Sequence, residues 1–485
     1  MLAFPHRLFL LFKLIPSPPF KPSPTTSFLL PLMDYLLRSI YCLVICAAFA
    51  AAGGILLAEQ EAAYLALESI NSGVEWRVLY PDDMCLAGPH GVVCDLFPDG
   101  DDGFTTHITE LNFGYVSDYN SNPHCGINAS LPSLLPTSLP FLRRVFFYRC
   151  FRYGQTAISA GFLNISSSLE ELVIHDNPAL IGRLSSRIAG LSRLRRFIVS
   201  GTRMSGEIPP EIGQLRNLEQ LVLTRNHLQG AAPASLGDLP RLKLLDLNSN
   251  RLVGSTPPEI GRLAELVKLD LSWNRFVGPV PAGFAELKRL EFLDLSHNRL
   301  TGGIPTALSE MRSLKEVYLA GNPLGGRIPE IWENLGGLSG LGLSGLGLMG
   351  NIPPSIGLYL QNICYLSLEG NYLVGQMPEQ LRLLERTAKE INIENNALEG
   401  RIPFSADFLA VIGGKLKLAG NTKLCLDENV AVHLTAKDNV SNLHLCNKTE
   451  ISHLVPFFST SFSSKASPSP TLLVVFFFCS FFMPK

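Results

Sequence analysis

Three aspartates recur at the same place in successive segments of this chain, with the spacing that a catalytic pair or a cation site would require. Asp246, Asp270 and Asp294 are 24 residues apart. On neighbouring strands their carboxylates would stack about 4.8 Å from one another and could act together on a substrate or a cation. A simple repetition of a Leu-Asp-Leu strand produces the same arrangement. We therefore expect a solvated polar stripe rather than a catalytic or metal site.

Cys85, His90 and Cys94 offer side chains of the kind that bind zinc. A structural zinc site needs a fourth ligand, however, and two cysteines so close in an oxidising compartment are more often joined to each other. We expect a disulfide here and no metal site.

Two overlapping glycine-rich sequences, at 340–345 and 345–350, match the GxGxxG fingerprint of dinucleotide-binding loops. Both fall inside one repeat whose leucines keep the phase of their neighbours, and no βαβ pattern surrounds them. We expect no cofactor. The segment 336–347 presents almost no side chains, so it could admit another backbone closely or form a weak point. The sequence shows no Ser/His/Asp set and no kinase motif, which predicts no catalytic residues and no enzymatic activity.

A repeat of 24 residues positions these side chains, and the unit 242–257 follows the pattern LxxLxLxxNxL of leucine-rich repeats. The first residues of successive repeats are Leu142, Leu169, Leu194, Leu218, Leu242, Leu266, Leu290, Leu314, Leu338, Ile363 and Ala388. Because one repeat cannot bury its own leucines, the repeats must stack. We predict an α/β-type solenoid, a right-handed leucine-rich-repeat superhelix of about eleven 24-residue repeats, with a parallel concave β-sheet and disulfide-capped ends.

Asparagine occupies the ninth place of most repeats, where its amide can satisfy backbone groups left open as each strand ends. These residues are Asn177, Asn226, Asn250, Asn274, Asn298, Asn322, Asn371 and Asn396. Thr202 and Leu346 interrupt the series. Cys150 stands in the same place of the first repeat, so it is either a member of the series or the disulfide partner of Cys125.

The side chains at the third, fifth, seventh and eighth places alternate with the buried leucines and should face the concave surface, the usual binding face of a solenoid. The candidate partner-binding residues are Arg225, Asp246, Lys268, Asp270, Trp273, Phe292, Asp294, His297, Glu316, Tyr318 and Tyr365. Trp273, Phe292 and Tyr318 fall on adjacent strands, and aromatic side chains are the usual anchors of interfaces. Alternatively, these rings pack only on one another.

A second candidate site is a basic patch formed by Arg144, Tyr148, Arg149 and Arg196. Such a patch could meet an acidic peptide or the carboxylates of a partner, although a solvated face is the commoner outcome for surface charges.

The charge balance does not indicate any class of partner, since 40 Lys and Arg residues and 42 Asp and Glu residues give a formal charge of −2. Nucleic acid is therefore not expected. Residues 33–52 have the early arginine, apolar core and small residues of a secretory signal peptide. Because such a peptide begins a chain, we expect 1–32 to be a spurious N-terminal extension. Residues 451–485 join a polar spacer to an apolar tail of eleven residues, too short to span a bilayer, and they read as a GPI-attachment signal.

These segments predict a secreted protein on the extracellular side of the plasma membrane, in contact with the membrane only through a lipid anchor. Between them we expect an N-terminal cap at 53–125, the repeats at 126–415 and a C-terminal cap at 416–450.

Cysteines that lie close in sequence around the regular repeats are expected to pair, as Cys85 with Cys94, Cys125 with Cys150, and Cys425 with Cys446. The remaining Cys364 is expected to be a thiol packed within a repeat. Glycosylation sequons occur at Asn128, Asn164, Asn439 and Asn447.

A Gly-x-Ile-Pro segment follows the asparagine in several repeats, as at 302–305 and 350–353, and it resembles the plant-specific class of leucine-rich repeats. Segments outside the regular pattern are similar to those of receptor-like proteins of this class that lack a kinase domain: 59–64, 85–94, 146–151, 404–408 and 420–425. The resemblance implies a cell-surface protein that binds a secreted peptide, a receptor kinase ectodomain or both, in developmental or microbe-response signalling. One alternative is a secreted inhibitor of microbial wall-degrading enzymes, and another is a structural wall protein.

Overall fold

The computed structural model describes residues 52–99, 103–114, 122–131, 138–158, 168–431 and 443–446. The expected N-terminal extension, all but the last residue of the expected signal peptide, and the expected GPI-attachment signal lie outside these residues. The sequons at Asn164, Asn439 and Asn447 do so as well. Asn128, the fourth sequon, lies exposed in a turn.

A parallel sheet runs through the described part of the chain and defines the concave face. Equivalent residues of successive repeats stand directly opposite one another, for example Leu245 opposite Leu221 and Leu269. Val92–Asp99 pairs antiparallel with the second strand of this sheet. The strands are Ala52–Ile55, Gly103–Gly114, Arg144–Tyr148, Glu171–His175, Arg196–Ser200, Gln220–Val222, Leu244–Asp246, Lys268–Asp270, Phe292–Asp294, Glu316–Tyr318, Gly340–Gly342, Tyr365–Ser367, Glu390–Asn392 and Leu416–Lys417. Because the register does not slip between repeats, residues at one place of the repeat form rows across the strands.

After most concave strands the chain turns and forms a second, short strand. These second strands make up two shorter sheets. One, called the outer sheet below, contains Thr156–Ala157, Leu180–Arg183, Arg203–Gly206, His227–Ala231, Arg251–Gly254, Arg275–Gly278 and Arg299–Leu300. The other contains Met349–Gly350, Tyr372–Gln376, Ala397–Arg401, Lys423–Leu426 and His444–Leu445. In these strands the residues that alternate with the buried leucines point to solvent, so the two sheets form an exposed side of the solenoid.

The return segment of most repeats is a 3₁₀ helix, which refines the expected α/β character. These helices are Ser186–Gly190, Pro210–Gln214, Ala234–Asp238, Pro258–Arg262, Ala282–Glu286, Thr306–Glu310, Trp332–Asn334, Glu379–Arg386 and Gly413–Lys415. The α-helices are Leu57–Ile70, Trp76–Leu79, Met84–Ala87, Ser355–Tyr359, Ala406–Ile412 and Glu428–Ala431. Most return segments have about five residues, a length at which 3₁₀ turns are common and α-helices are marginal.

The leucines of the repeats form one continuous core, in which Leu218, Leu221 and Leu228 are fully buried. The predicted asparagine ladder lies along this core. Asn274, for example, accepts a hydrogen bond from the Leu252 amide at 3.0 Å and donates to the Leu247 carbonyl at 2.9 Å. The predicted stacked repeat with its parallel sheet is thereby confirmed.

The ladder extends further than the sequence indicated. Asn421, beyond the last recognised repeat, is buried and makes the same bonds, accepting from Leu398 and donating to Ile393. At the interruptions, the Thr202 hydroxyl accepts from the Met204 amide, and Asn371 accepts from the amides of both Leu346 and Leu348. Neighbouring polar atoms therefore replace the missing asparagines.

Disulfides join Cys85 to Cys94, Cys125 to Cys150, and Cys425 to Cys446, as predicted. The open question about Cys150 is thus decided in favour of the disulfide. Cys364 departs from expectation because it is half-buried rather than packed in the core. It occupies the second place of its repeat, immediately after the buried Ile363 and beside the edge of the concave sheet.

Candidate partner-binding face

Lys268 lies at the centre of the predicted binding face, between two carboxylates of neighbouring strands. Its Nζ atom is 2.9 Å from Asp246 Oδ2 and 3.8 Å from Asp270 Oδ2. The same ammonium lies 5.1 Å from the centre of the Phe292 ring, a cation–π contact. One cation therefore links the acidic and the aromatic parts of the face.

Two aspartates of the row are buried and not solvated, contrary to the expectation from sequence, and Asp294 is half-buried. Asp246 and Asp270 are each 6% exposed. Each carboxylate also caps the turn that follows its strand: Ser272 Oγ donates to Asp270 at 2.7 Å, and the Ser296 amide donates to Asp294 at 2.8 Å. The side chains are drawn inwards because their own turns supply hydrogen-bond donors.

Burial changes the acidity of this row. Burial, followed by the charge of Asp270, raises the pKa of Asp246 and raises that of Asp294 to about 6. Burial alone would lower the pKa of Lys268, yet Asp246 and Asp270 raise it overall. Three carboxylates share one ammonium group. The charged form of Lys268 is therefore favoured, whereas the charged forms of Asp246 and Asp294 are disfavoured.

Three aromatic rings form the other half of the face. The centre of the Tyr318 ring lies 5.9 Å from that of Phe292 and 6.3 Å from that of Tyr365. The Tyr318 hydroxyl donates to Glu316 at 3.0 Å, and burial, followed by the charge of Glu316, raises the pKa of Tyr318. All three rings are half-buried, so each keeps a surface that a partner can cover.

The glycine-rich strand Gly340–Gly342 lies directly beneath Tyr318. A methyl group on Gly340 would stand 2.9 Å from the Tyr318 hydroxyl oxygen, and one on Gly342 would stand 2.8 Å from its Cδ1. The sequence suggested that this strand could admit another backbone closely. In the structure, a tyrosine of the same chain occupies that space.

Trp273 and His297 form a separate stacked pair at the eighth place of adjacent repeats, with ring centres 3.9 Å apart. Both residues have a left-handed backbone, with φ of 53° and 52°. Many repeats have glycine in this place, including Gly201, Gly321 and Gly370, because glycine takes that conformation without steric strain. The Trp273 ring is 58% exposed.

Arg225 occupies the same left-handed place two repeats before Trp273, with φ of 52°. Its Nη2 atom lies 2.7 Å from Asp176 Oδ1 and 3.4 Å from Ser200 Oγ. Of the predicted residues, Arg225 is therefore associated with the N-terminal repeats and not with the central face.

The predicted basic patch is a ladder of paired charges. Arg144 contacts Glu110 at 2.6 Å, Arg196 contacts Glu171 at 2.7 Å, and Arg149 lies 3.7 Å from Asp176. Tyr148 lies among them, and its pKa is raised first by burial. The arginines of the predicted patch are paired because adjacent strands carry acids at matching places. A role in binding for this ladder stays a prediction.

Sequence reasoning missed polar residues at the C-terminal end of the face. Lys417 Nζ lies 2.7 Å from Glu390 Oε1, and Asn392 donates to Glu369 at 2.8 Å. Glu390 and Asn392 occupy the third and fifth places of the repeat that begins at Ala388, so the rule that identified Asp246 would have identified them as well.

In the part of the chain that the structure describes, no group of three His, Cys, Asp or Glu side chains is arranged to hold a metal ion. Nor does any described helix combine the length and apolar character needed to cross a bilayer.

Comparison with known proteins agrees with this architecture. Family models described as "Leucine rich repeat" match residues 216–276, 289–311 and 313–335. Receptor like protein 29 of Arabidopsis thaliana is 36% identical over 148 residues, which cover 30% of this chain and 30% of the relative. Protein TOO MANY MOUTHS of the same plant is 34% identical over 137 residues, covering 28% and 26%. Piriformospora indica-insensitive protein 2, also from Arabidopsis, is 33% identical over 145 residues, covering 29% and 32%. The matched region thus spans about a third or less of these relatives, and the predicted resemblance to plant receptor-like proteins is confirmed.

Solved structures share the fold. A crystal structure of PEPR1–AtPEP1 superposes with a TM-score of 0.60 at 21% identity, covering 78% of this chain and 57% of that one. The Arabidopsis receptor kinase HAESA, in complex with the peptide hormone IDA and the co-receptor SERK1, superposes with a TM-score of 0.58 at 24% identity, covering 77% and 62%.

Proposed function

We propose that this leucine-rich-repeat protein, whose homologues are receptor-like proteins of plants, is a non-catalytic binding protein of the cell surface. Its concave face binds an extracellular peptide or the ectodomain of a receptor kinase. One structural neighbour, the receptor kinase HAESA, is in complex with a peptide hormone and a co-receptor, and it is a precedent for such binding by this fold. The support from this chain comes from the face itself.

The observation that carries the proposal is the conformation of Trp273. A large aromatic residue is held with φ of 53° and is 58% exposed, in a left-handed place that glycine occupies in four of the eleven repeats and that smaller or polar residues occupy in most of the others. The strain and the exposure each lower the stability of the folded chain. Residues held in strained backbone conformations cluster at binding sites, and tryptophan is enriched among the residues that dominate binding energy.

The face also indicates the chemistry of its ligand. From Asp246 to Tyr365 it crosses six strands, about 24 Å, which an extended peptide of roughly seven residues would cover. Phe292, Tyr318 and Tyr365 offer an apolar surface at one end. Asp294 lies beside them, and among the described residues Lys268 is the cation that acts on its carboxylate. The best-matched ligand therefore has a basic side chain next to an apolar one.

The test is a pull-down from intact plant membranes with the wild-type protein and with the double variant Trp273→Ala/Tyr318→Ala. We expect the wild-type protein to recover a receptor kinase and the double variant to recover about tenfold less, because both anchors are lost. The matched control is Tyr372→Ala, which removes a 70% exposed aromatic side chain from the opposite side of the repeat. It should bind as the wild type does.

Equal recovery by the wild type and the double variant would move the binding site away from this face. Recovery of a secreted glycanase in place of a receptor kinase would favour the inhibitor function. Release of the protein from membranes by a phospholipase that cleaves GPI anchors tests the proposed tether, and a protein that stays bound after treatment would contradict it.

A further inference from the structure

Exposed basic side chains form a row on the outer sheet, away from the concave face. The residue that follows the ladder place is basic in five successive repeats, each at the start of a strand of the outer sheet. The members of this row, called the arginine row below, are Arg203, His227, Arg251, Arg275 and Arg299. All five are exposed, because they alternate with the buried apolar residues of their strands.

The arginines of this row differ from the cations along the edge of the concave sheet, because no carboxylate partner of theirs lies among the described residues. Along the edge of the concave sheet, Arg195 and Lys243 both bind Glu219, and Lys315 binds Glu291. No ion pair of Arg203, Arg251, Arg275 or Arg299 occurs among the described residues. The five strands that begin with the row contain neither Asp nor Glu, and Glu207, just beyond the first of them, lies over Gly230.

The positive potential of the row acts on its own histidine. Burial lowers the pKa of His227, and the charges of Arg251 and Arg203 lower it further. Like charges are thus gathered here without compensation, although they repel one another.

The register of the outer sheet sets the spacing of the row. Arg275 pairs with Val253 and Arg299 pairs with Val277, so each arginine is displaced by two residues relative to the preceding one. The Cα atoms of successive row members therefore repeat at about 8 Å, and the whole row extends over about 30 Å. The intervening Val253 and Val277 are 41% and 43% exposed, so an apolar surface alternates with the cations.

We propose that the arginine row binds a linear polyuronate, an acidic polysaccharide of the extracellular matrix. A stiff polymer with carboxylates at regular intervals matches a row of cations at regular intervals. Guanidinium groups bind carboxylates through paired hydrogen bonds, and the valine side chains offer contact to the C–H faces of sugar rings. The irregular charges of a folded protein surface match this row less well. A lipid surface would in turn require a broader basic face than one line of residues.

The binding test uses immobilised de-esterified polygalacturonate as the probe, with biolayer interferometry as the readout. We expect the wild-type protein to bind, and Arg251→Gln/Arg275→Gln to bind about tenfold more weakly. Higher salt should weaken the wild type further because the contacts are exposed. The matched control is Arg289→Gln/Lys315→Gln, which removes the same charge from exposed pairs with Glu265 and Glu291. It should keep wild-type affinity.

Four results would overturn the proposal: no binding of polygalacturonate by the wild type, equal loss in both double variants, equal binding of the fully methyl-esterified polymer, or binding of polyglutamate or anionic vesicles as tight as that of polygalacturonate. The proposal does not depend on the concave face. The Arg251→Gln/Arg275→Gln variant should still recover the membrane partner, while Trp273→Ala/Tyr318→Ala should still bind the polymer, so each site can fail without the other.

Discussion

The ring of Tyr318 lies across the backbone of Gly342, its partner on the next concave strand, so closely that a methyl group on that glycine would stand 2.8 Å from the ring. Glycine at this position therefore determines where a candidate ligand-contacting side chain rests. Tyr318 belongs to one repeat, and the glycine that leaves room for its ring belongs to the next. The two residues together therefore form one part of the binding face.

We expect Gly342→Ala to push the Tyr318 ring away from the sheet and to weaken partner binding, with a loss of stability of about 1 kcal/mol. The loss is small because an exposed ring can rotate away, whereas a core residue cannot. Partner affinity and chemical denaturation measure the two effects. Gly337→Ala is the nearby control, five residues before Gly342, since its methyl group would stand 3.8 Å from the nearest atom. Equal effects of both variants would contradict the role assigned to Gly342.

Replacement of Trp273 by glycine and by alanine separates the effect of backbone strain on stability from the effect of the indole ring on partner binding. Both variants lose the stacking on His297, but only glycine releases the left-handed backbone. Trp273→Gly should therefore be about 1 kcal/mol more stable than Trp273→Ala. Both should lose partner affinity to the same extent. Ser249, with φ of 55°, is the control position: Ser249→Gly should gain similar stability over Ser249→Ala with no change in affinity.

The aspartate row predicts a dependence of stability on pH. Burial, followed by Asp270, raises the pKa of Asp294 to about 6, so folding favours the protonated form. The contribution of this group is fully present below its unfolded pKa and is lost as pH rises from about 4 to about 6. We expect the stability of Asp294→Asn relative to the wild type to rise over this range by on the order of 1 to 3 kcal/mol.

Urea denaturation at several pH values tests this expectation. Glu286→Gln, which removes an exposed carboxylate elsewhere, should show a constant difference from the wild type. A constant difference for Asp294→Asn would show that the carboxyl ionises normally.

The N-terminal cap contains a buried pair whose loss should be costly. Glu59 lies 2.6 Å from His107 Nδ1 and accepts from the Ile108 amide at 3.2 Å, and both side chains are buried. Glu59→Ala leaves those donors without a partner, so we expect a loss of about 3 kcal/mol. The control on the same helix is Glu61→Ala, whose pair with Arg77 is exposed, so its expected loss is much smaller than that of Glu59→Ala. Thermal unfolding measures both, and similar losses would contradict the importance of burial.

Periodicity alone was sufficient to predict the stack, the core leucines, the asparagine ladder and the rows of residues on the concave strands. It also supported the pairing of the capping cysteines, since each pair lies close in sequence at an end of the repeats. These features depend on contacts between equivalent places of neighbouring repeats, and such contacts recur with the sequence period. Asn421 was missed because its repeat lacks the regular leucine spacing, although its amide makes the usual bonds.

The sequence by itself determined which side chains lie on each face of this protein, because a strand alternates its side chains and a repeat returns them to the same row. Only the tertiary structure decided how those side chains interact. It buried Asp246 and Asp270 in their own turns, paired Arg144 and Arg196 with acids of adjacent strands, and left Arg251 and Arg275 without such acids. It also placed Tyr318 over glycine. The charge and exposure of each position depend on which residue the next repeat brings beside it, and that neighbour is about 24 residues away in the chain.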